Sequence, residues 1–575
     1  MPGFFVSNAK IDTQLINIYP NLCVQQSIDS EVGTIKRNTL DKFMNDKAFA
    51  ENDGYIVVSE GFILNKHCLF EKYDADNVES LFIKMYLKNG DEFFAELRGG
   101  FSGAFYDKRN NKWLIFTNQI GDTSVYYTKT EKGVFAGSQV NYVLDACKKE
   151  NVKLTFDRDA AYQMLTYAFM LDDTTYAKEI KRLVGGTYLC IQNGCVELKT
   201  YHIFKKDMQR FKNASDKELI EEIDQAFSAA TKLEYDKDLE YGYKHLTDIS
   251  GGLDSRMTLW VAHALGYSPM QLITYCKSNY LDETIARQIA TFWKDEILIK
   301  QLDDAKFLYD IDEIVFMNGG LSLYSGISGG NRMLRSMNCS IYGIEHTGIN
   351  GENTIGSYLK DPEENKNKLP SKLYSKKLLH RLSDKYKNFA KTFEDNELYI
   401  NYTRSYRGMA NTFQIRRNYT EVSAPFLNVD FVQLCFDIPF ERRIGHRLYK
   451  KWILTKYPSA AQFKWESIGA KINEPRFIAE IRRIISRGPR KLLKMLGLGH
   501  KINSGMTPLG YWISNDKELK DYLDGYAQEE LTNPKTEMSS QLLSDMKDLY
   551  STGTATEKTM VLTVLGSIKL YFGEK

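Results

Sequence analysis

The sequence lacks the features typical of membrane, secreted, nucleic-acid-binding and zinc-dependent proteins. No apolar run in its 575 residues approaches the roughly 18 residues of a membrane span, and the first residues show no signal-peptide pattern. A net charge of +2 gives no general signal for nucleic-acid binding. The eight cysteines and eight histidines are scattered without metal-ligand spacing. We therefore predict free thiols, no zinc site and a cytoplasmic location.

The length of the chain bounds its organisation. Single hydrophobic cores rarely grow beyond about 250–300 residues, so two or three domains are expected. A hydrophobic fraction of 43% is sufficient for large cores. The basic segment 476–494 is consistent either with a membrane-surface or acidic-partner contact or with a solvated helix face.

A short glycine-rich run is the most informative motif of the chain. Residues 250–255 read Ser-Gly-Gly-Leu-Asp-Ser, between a predicted strand at 243–249 and a predicted helix at 257–265. Such a turn binds anions because free backbone N–H groups and the helix dipole point at the ligand. Asp254 would repel phosphate unless it binds a shared Mg²⁺. The loop therefore predicts ATP and magnesium as ligands, and it is not a Walker loop.

This hexapeptide resembles the pyrophosphate-binding loop of the asparagine synthetase-like ATP pyrophosphatases. The resemblance continues in an apolar run at 272–275, an Asp-Glu-containing helix at 281–290 and a third strand at 297–299. Alternating strands and helices at this spacing predict a doubly wound parallel sheet of the adenine nucleotide α-hydrolase type, with the ligand at the carboxyl ends of its strands.

Three later segments extend the resemblance to this family. Residues 347–358 resemble its second glycine loop, in which Glu352 would take the place of a second magnesium carboxylate. Residues 422–428 resemble its Val-Arg-Val-Pro-Phe-Leu-Asp motif. Lys451 would correspond to the lysine that faces the phosphates, although its neighbour Lys450 leaves the register open by one residue.

The resemblance implies a complete set of site residues. Asp254 and Glu352 would bind Mg²⁺, and these two residues with Lys451 would form the catalytic group. The implied ATP and pyrophosphate site consists of Ile249, Ser250, Gly251, Gly252, Leu253, Asp254, Ser255, Thr274, Tyr275, Thr347 and Gly348.

The N-terminal third carries a second set of family motifs. Residues 98–107, 116–127, 135–138 and 181–189 resemble, in order, strand and turn motifs of the family's glutaminase domain. The overall expectation is an α/β protein: an Ntn-hydrolase-like αββα glutaminase-type domain at 1–205 and a synthetase domain at 206–575 with a helical C-terminal extension.

The N-terminal region departs from this family at the residues that perform glutamine hydrolysis. Pro2 replaces the nucleophilic cysteine, Glu60-Gly61 replaces the oxyanion-hole Asn-Gly, and Asn118 replaces the aspartate that binds the glutamine amine. We therefore expect no glutamine hydrolysis. The region would serve as a retained scaffold, a docking surface or a wall of the synthetase site.

A further departure concerns the general base. Ile349 occupies the position of the asparagine synthetases' glutamate and the β-lactam synthetases' tyrosine, and it can replace neither. Another group must then act as base. The candidates are Glu345, His346, Tyr402, Arg404 and Tyr406, each of which is equally compatible with a packing or surface role.

The implied reaction is the formation of an amide. A small-molecule, sugar or peptide carboxylate would be adenylated by ATP, with release of pyrophosphate, and an amine would then displace AMP. Lasso-peptide cyclases and β-lactam synthetases provide precedents for this chemistry. An ammonia-dependent asparagine synthetase and a catalytically inactive binding homologue remain alternatives, and a homodimer is a candidate assembly.

Overall fold

The computed structural model describes residues 2–16, 18–19, 22–474 and 503–573. The basic segment 476–494 lies outside these ranges, so the two interpretations of that segment stay predictions. None of the helices within the described ranges combines the length and the apolar character needed to cross a membrane.

Two antiparallel sheets form the N-terminal part of the chain. The first has the order β10-β8-β9-β1-β3-β2 and the second the order β12-β11-β7-β6-β5-β4. The strands are β1 (Gly3–Ser7), β2 (Cys23–Ser30), β3 (Gly33–Leu40), β4 (Phe49–Glu51), β5 (Tyr55–Gly61), β6 (Phe101–Asp107), β7 (Lys112–Thr117), β8 (Tyr126–Lys129), β9 (Val134–Gly137), β10 (Lys181–Arg182), β11 (Thr187–Gln192) and β12 (Cys195–Thr200).

Alternation of side chains along these strands places the sheets between helices. Phe4 and Val6 of β1 pack with Ile56 and Val58 of β5 in the core between the sheets, whereas Phe5 points to the opposite face. That face is covered by α3 (Val140–Lys149) and α4 (Arg158–Tyr167), and the second sheet is covered by α1 (Lys66–Tyr73) and α2 (Val78–Asn89). The predicted αββα arrangement is confirmed.

A parallel sheet forms the centre of the C-terminal part. Its order is β15-β14-β13-β16-β17, and the strands are β13 (Lys244–Asp248), β14 (Met270–Cys276), β15 (Glu296–Gln301), β16 (Tyr342–His346) and β17 (Val422–Ser423). All neighbouring pairs in this sheet are parallel. The chain proceeds outward from β13 to β15 and then returns to the other side of β13. The sheet is therefore doubly wound, as predicted, with its topological switch point between β13 and β16.

Helices enclose this sheet and extend beyond it. Those that follow the N-terminal part are α5 (Asp216–Glu240), α6 (Asp254–Ala264), α7 (Leu281–Trp293), α8 (Ile311–Asn318), α9 (Ser328–Arg335), α10 (Gly351–Thr354), α11 (Pro362–Lys366), α12 (Asp384–Lys387), α13 (Asn396–Ile400), a π-helix (Asn401–Met409), α14 (Phe413–Arg416), α15 (Val429–Asp437), α16 (Phe440–Arg443), α17 (Arg447–Lys456), α18 (Leu509–Asn515), α19 (Lys517–Thr532), α20 (Ser540–Thr552) and α21 (Ala555–Phe572). The last of these, α21, packs in one core with α4 and α8.

Buried charges join the two parts of the chain. The Asp46 carboxylate accepts hydrogen bonds from the Ile63 amide at 2.8 Å and the Tyr241 hydroxyl at 2.6 Å. It also pairs with Lys66 at 2.5 Å and with Lys237 of α5 at 3.0 Å. All the charged members are almost fully buried, so each charge depends on its partners for stabilisation.

Replacement of Asp46 by asparagine should therefore destabilise the contact between the two parts. Two buried ammonium groups would lose a shared counter-charge, at a cost of about 3–5 kcal/mol. We expect a lower urea midpoint for D46N, measured by circular dichroism. The exposed Asp53, changed to asparagine, is the matched control; equal midpoints for the two variants would contradict the assigned role of Asp46.

Candidate functional site

A cavity of about 530 Å³ lies at the carboxyl edge of the parallel sheet, over the switch point. Its walls include most of the predicted nucleotide residues: Ile249, Ser250, Gly252, Leu253, Asp254, Ser255, Thr274, Tyr275, Thr347 and Gly348, together with Glu352. The predicted residue Gly251 is not part of the wall. Its amide instead donates to the carboxylate of Asp282, itself a lining residue, at 2.7 Å, which anchors the loop to the start of α7.

The glycine loop is held in shape by its own serines. The Ser250 amide donates to the Ser255 hydroxyl at 3.1 Å, and the two hydroxyls lie 3.0 Å apart. The Gly252 amide donates to the Ser250 hydroxyl at 3.1 Å. These bonds curl the loop at the start of α6, where an anion would meet free N–H groups and the positive end of the helix.

The second glycine loop packs directly onto the first. A Cβ atom on Gly348 would overlap the backbone of Ser255, and one on Gly351 would lie 2.5 Å from Cγ of Asp254. Only glycine permits this approach at either position. The contact brings Glu352, one residue after Gly351, beside Asp254.

Asp254 and Glu352 are neighbouring carboxylates at the junction of the two loops. The Glu352 amide donates to Asp254 Oδ2 at 2.8 Å, and the Tyr449 hydroxyl donates to Oδ1 at 3.0 Å. Burial and the nearby charge of Glu352 raise the pKa of Asp254 well above its usual range. Burial and the charge of Glu466 likewise raise the pKa of Glu352. Two carboxylates that repel each other at the wall of a cavity fit a divalent cation, and hard oxygen donors suit Mg²⁺.

Neither Lys451 nor its neighbour Lys450 is among the described residues that line this cavity. Lys451 pairs with Asp216, and its side chain is 50% exposed. Tyr449 of the same helix faces Asp254, so a residue two positions later points to the opposite side. Lys450 instead lies over the Trp465 ring at 5.1 Å, where its charge lowers the pKa of Glu352 and thus opposes the effect of burial.

Two of the predicted base candidates are committed to buried pairs. Glu345 pairs with Arg416, which also binds Asp248 at 2.8 Å. His346 bonds Asp238 at 2.8 Å and Glu234 at 3.2 Å. Neither Glu345 nor His346 is among the described residues that line the cavity.

The remaining candidates lie on the π-helix or beside it. Tyr402 and Tyr406 pack in an apolar cluster with Phe204, away from the cavity walls that the structure describes. Arg404 does line the cavity, as does Ile349. Of the five candidates, only Arg404 therefore reaches the cavity.

His346 belongs to a buried cluster of charges under the site. Ligand atoms of Asp238, His245 and His346 lie within 4.8 Å of one another. The same oxygen of Asp238 bonds both rings at 2.8 Å, so hydrogen bonds account for this arrangement. Burial opposes the protonated imidazole, but Asp238 and Glu234 outweigh that effect and raise the pKa of His346 to about 9.

This raised pKa predicts a defined pH dependence of stability. His346 should contribute up to about 3 kcal/mol below its unfolded-state pKa near 6.5, and the contribution should disappear as the pH rises through about 9. We expect the urea midpoints of the wild type and of His346→Gln to differ most near pH 6 and to converge by pH 9.5. If the difference in urea midpoint between the wild type and His346→Gln grew as the pH rose, His346 would not be protonated in the folded protein.

Sequence reasoning missed several residues of the cavity. Asp248, which lines the cavity, is the last residue of β13. Ligands of doubly wound sheets bind at the carboxyl ends of the strands beside the switch point, so its position at a strand end could have identified Asp248 as a site residue. Arg416 and Tyr374 lie on segments without a recognisable motif, so their presence depends on tertiary packing. Ala168 and Phe169 come from the N-terminal region, which therefore forms a wall of this cavity.

Pro2, which stands where the resemblance would place the glutaminase nucleophile, lies at a small cavity. Pro2 lines a cavity of only about 50 Å³ that also includes Glu60 and Arg417, and no cysteine is among its described lining residues. Glu60 is paired with Arg37 at 3.4 Å and Lys47 at 3.7 Å. Glu60 is thus a buried carboxylate stabilised by two cations at the wall of this cavity.

Asn118, the third departure, is also satisfied internally. Its amide donates to Asp122 Oδ1 at 2.5 Å and to the Gly99 carbonyl at 3.0 Å. Asp122 in turn pairs with Arg417 at 2.6 Å, which links this region to the end of α14. Asn118 is therefore connected, through Asp122, to the C-terminal part of the chain.

Comparisons with known proteins concern mainly the N-terminal part. Residues 44–202 match the model of the glutamine amidotransferase domain. A similar solved structure is glutamine phosphoribosylpyrophosphate amidotransferase from B. subtilis complexed with ADP and GMP. The two sequences are 9% identical, the match covers 52% of this chain and 74% of that chain, and the TM-score is 0.21. Another is the allosteric regulatory enzyme of purine biosynthesis, at 8% identity, the same coverages and a TM-score of 0.23. No curated protein matches the chain significantly.

The domain match agrees with the double antiparallel sheet. Residues 44–202 include β4 to β12 and the helices that cover these strands. This stretch is therefore of the glutamine amidotransferase type, although the positions that would carry glutamine hydrolysis hold Glu60 and Asn118.

Proposed function

We propose that the protein is an ATP-dependent amide-forming ligase that adenylates a carboxylate and transfers the acyl group to an amine. The observation that carries this proposal is the junction of the two glycine loops, where Asp254 and Glu352 meet at the start of α6. The remainder of the predicted nucleotide site lies around the same cavity. This proposal assigns the chain to asparagine synthetase-like ligases by the resemblance of its motifs.

Different residues of the site would bind different parts of Mg–ATP in the first step. Ser250, Gly252 and Ser255 would hold the pyrophosphate portion of ATP, and the backbone at Thr274 and Thr347 would hold the adenine and ribose side. Asp254 and Glu352 would bind Mg²⁺, which supplies neutralisation of the phosphate charge when bound. Burial raises the pKa of both carboxyl groups, with further contributions from the charge of Glu352 on Asp254 and of Glu466 on Glu352, and a bound cation would favour the charged form of each.

A fixed ammonium group would stabilise the charge that develops on the leaving pyrophosphate. We assign this role to Lys450 rather than Lys451, because Lys450 is close enough to influence the pKa of Glu352 and of His446. The Trp465 ring beside it would limit the motion of the lysine side chain.

The amine would not come from glutamine hydrolysed by this chain. By the resemblance, Pro2, Glu60 and Asn118 stand where the nucleophile, the oxyanion hole and the amine-binding residue would be. Glu60 and Asn118 are bonded internally, and Pro2 lines a cavity of only about 50 Å³. The amine is therefore ammonia or a group on a second substrate. Ile349, which lines the cavity, makes aspartate with ammonia the less favoured pair.

Loss of either metal carboxylate should abolish the first step. We expect Asp254→Asn and Glu352→Gln each to lower ATP–[³²P]pyrophosphate exchange by at least about 100-fold, as removal of one preorganised electrostatic group does in other enzymes. The assay uses a panel of aspartate, uronic acids, β-amino acids, alkyl and aryl acids and short peptides, each with ammonia, with glutamine or with no added amine. The exposed Glu363, changed to glutamine, is the control.

Several outcomes would contradict the proposal. If both variants retained wild-type ATP–pyrophosphate exchange, the assignment of Asp254 and Glu352 as Mg²⁺ ligands would be wrong. Turnover that depends on glutamine would overturn the inference of an inactive glutaminase site. If no acid supports exchange and Mg–ATP does not bind in isothermal titration, a non-catalytic binding protein becomes the better interpretation.

Adjacent lysines provide a matched test of the register. We expect Lys450→Gln to lower the maximal exchange rate by roughly 100-fold, because it removes a charge placed at the developing negative charge. Lys451→Gln should have little effect, since the half-exposed Lys451 pairs with Asp216 outside the cavity. If Lys451→Gln instead lowered the exchange rate at saturating ATP more than Lys450→Gln did, the phosphate-facing lysine would be Lys451.

A further inference from the structure

An arginine on an unusual helix lines the same cavity as the nucleotide loops. Residues Asn401–Met409 form a π-helix of 9 residues, a geometry that is rare and is frequent at functional sites. Arg404, Gly408 and Met409 of this helix line the cavity. The irregular helix therefore determines which side chains face the space beside the predicted phosphates.

The charge of Arg404 is not neutralised by an acid within the described residues. Its guanidinium lies over the rings of Tyr358 at 5.6 Å and Tyr374 at 5.4 Å. The other arginine of the cavity, Arg416, is paired with Asp248 and Glu345. Aromatic faces hold a guanidinium in place while its edge donors stay available to a planar anion.

Arg404 packs over Tyr358, whose amide donates to the side-chain oxygen of Asn353, the residue after Glu352, at 3.4 Å. Burial and the charge of Asp254 raise the pKa of Tyr358, whereas the charge of Arg404 lowers it. The Tyr358 hydroxyl also contacts Met409 Sδ at 3.6 Å. Arg404 thus lines the same cavity as the residues expected to hold the phosphates, and an acyl group that reacts with ATP would have to enter that cavity.

The wall beside Arg404 is apolar and comes from both parts of the chain. Gly408 lies so close to Phe169 that an added Cβ atom would be 2.8 Å from its ring. Tyr374 is fixed by a hydrogen bond from its amide to the Thr166 carbonyl at 3.0 Å. A carbon skeleton attached to an anion at Arg404 would lie against Phe169 and Met409.

We propose that Arg404 binds the reacting carboxylate of the acyl substrate, an acid whose carbon atoms next to the carboxylate are apolar. This assignment rests on the proposed adenylating function. One carboxylate oxygen bonds to the α-phosphorus of ATP as the bond from that phosphorus to the pyrophosphate oxygen breaks, and pyrophosphate leaves with the electron pair. Arg404 stays protonated and donates to the second oxygen of the acid.

The test separates binding of the acid from binding of the nucleotide. Mg²⁺ with the α,β-methylene analogue of ATP would be titrated into the wild type, Arg404→Gln, Arg404→Lys and the control Arg109→Gln, which alters an exposed turn residue. Thermal shifts of the analogue-saturated proteins would then be measured with sodium acetate and with each acid of the panel, against sodium chloride at equal ionic strength.

The expected result is a selective loss in Arg404→Gln. This variant should bind the analogue within about twofold of the wild type but lose stabilisation by acids, and its KM for the acid in exchange should rise about 10- to 100-fold, as for a lost charged hydrogen bond. Arg404→Lys should recover part of the affinity, and Arg109→Gln should match the wild type. Alkyl and aryl acids should stabilise more than aspartate or uronic acids.

Other results would overturn the assignment. Equal loss of analogue and acid binding in Arg404→Gln would make Arg404 a phosphate-binding residue. Unchanged acid stabilisation in that variant, or no stabilisation of the wild type by any acid, would remove the carboxylate site, and a preference for uronic acids over all apolar acids would remove the proposed wall. Failure of the wild type to bind the analogue would show instead that the proposed function itself is wrong.

Discussion

Close contact between two glycine-containing loops is the constraint on which the site depends. Gly348 and Gly351 lie against the backbone of Ser255 and the side chain of Asp254, at a separation that no larger residue permits. That approach aligns the Glu352 amide with the Asp254 carboxylate. Two negative groups are thereby held together at the positive end of α6, and neither loop alone could form the pair.

The sequence predicts this part of the molecule well because local motifs determine it. A strand, a glycine turn and a helix fix the positions of Ser250 and Asp254, and the alternation of strands and helices after them indicates a parallel sheet. The strand order, with β16 and β17 on the other side of β13, was not predicted. The antiparallel double sheet follows in the same way from short motifs at 98–107 and 181–189.

Prediction is weaker where tertiary packing selects the side chain. Lys450 and Lys451 are adjacent and chemically identical, so the choice depends on which face of α17 packs against Asp254. Arg404 and Phe169 reach the cavity through a π-helix and through a contact between distant parts of the chain, neither of which leaves a periodic signal. Glu345 and His346 precede the second glycine loop, but buried partners of opposite charge hold them under the sheet.

The shared core of α4 and α21 has a consequence for the order in which the chain folds. Ala160, Met164 and Leu165 of α4 pack with Val561, Leu565 and Ile568, so this face of α4 has no cover until residues 555–572 have been synthesised. Synthesis of the intervening chain takes roughly 20–80 s at about 5–20 residues per second. During that interval the early part of the nascent chain exposes an apolar helix face, which makes it a natural client for chaperones on the ribosome.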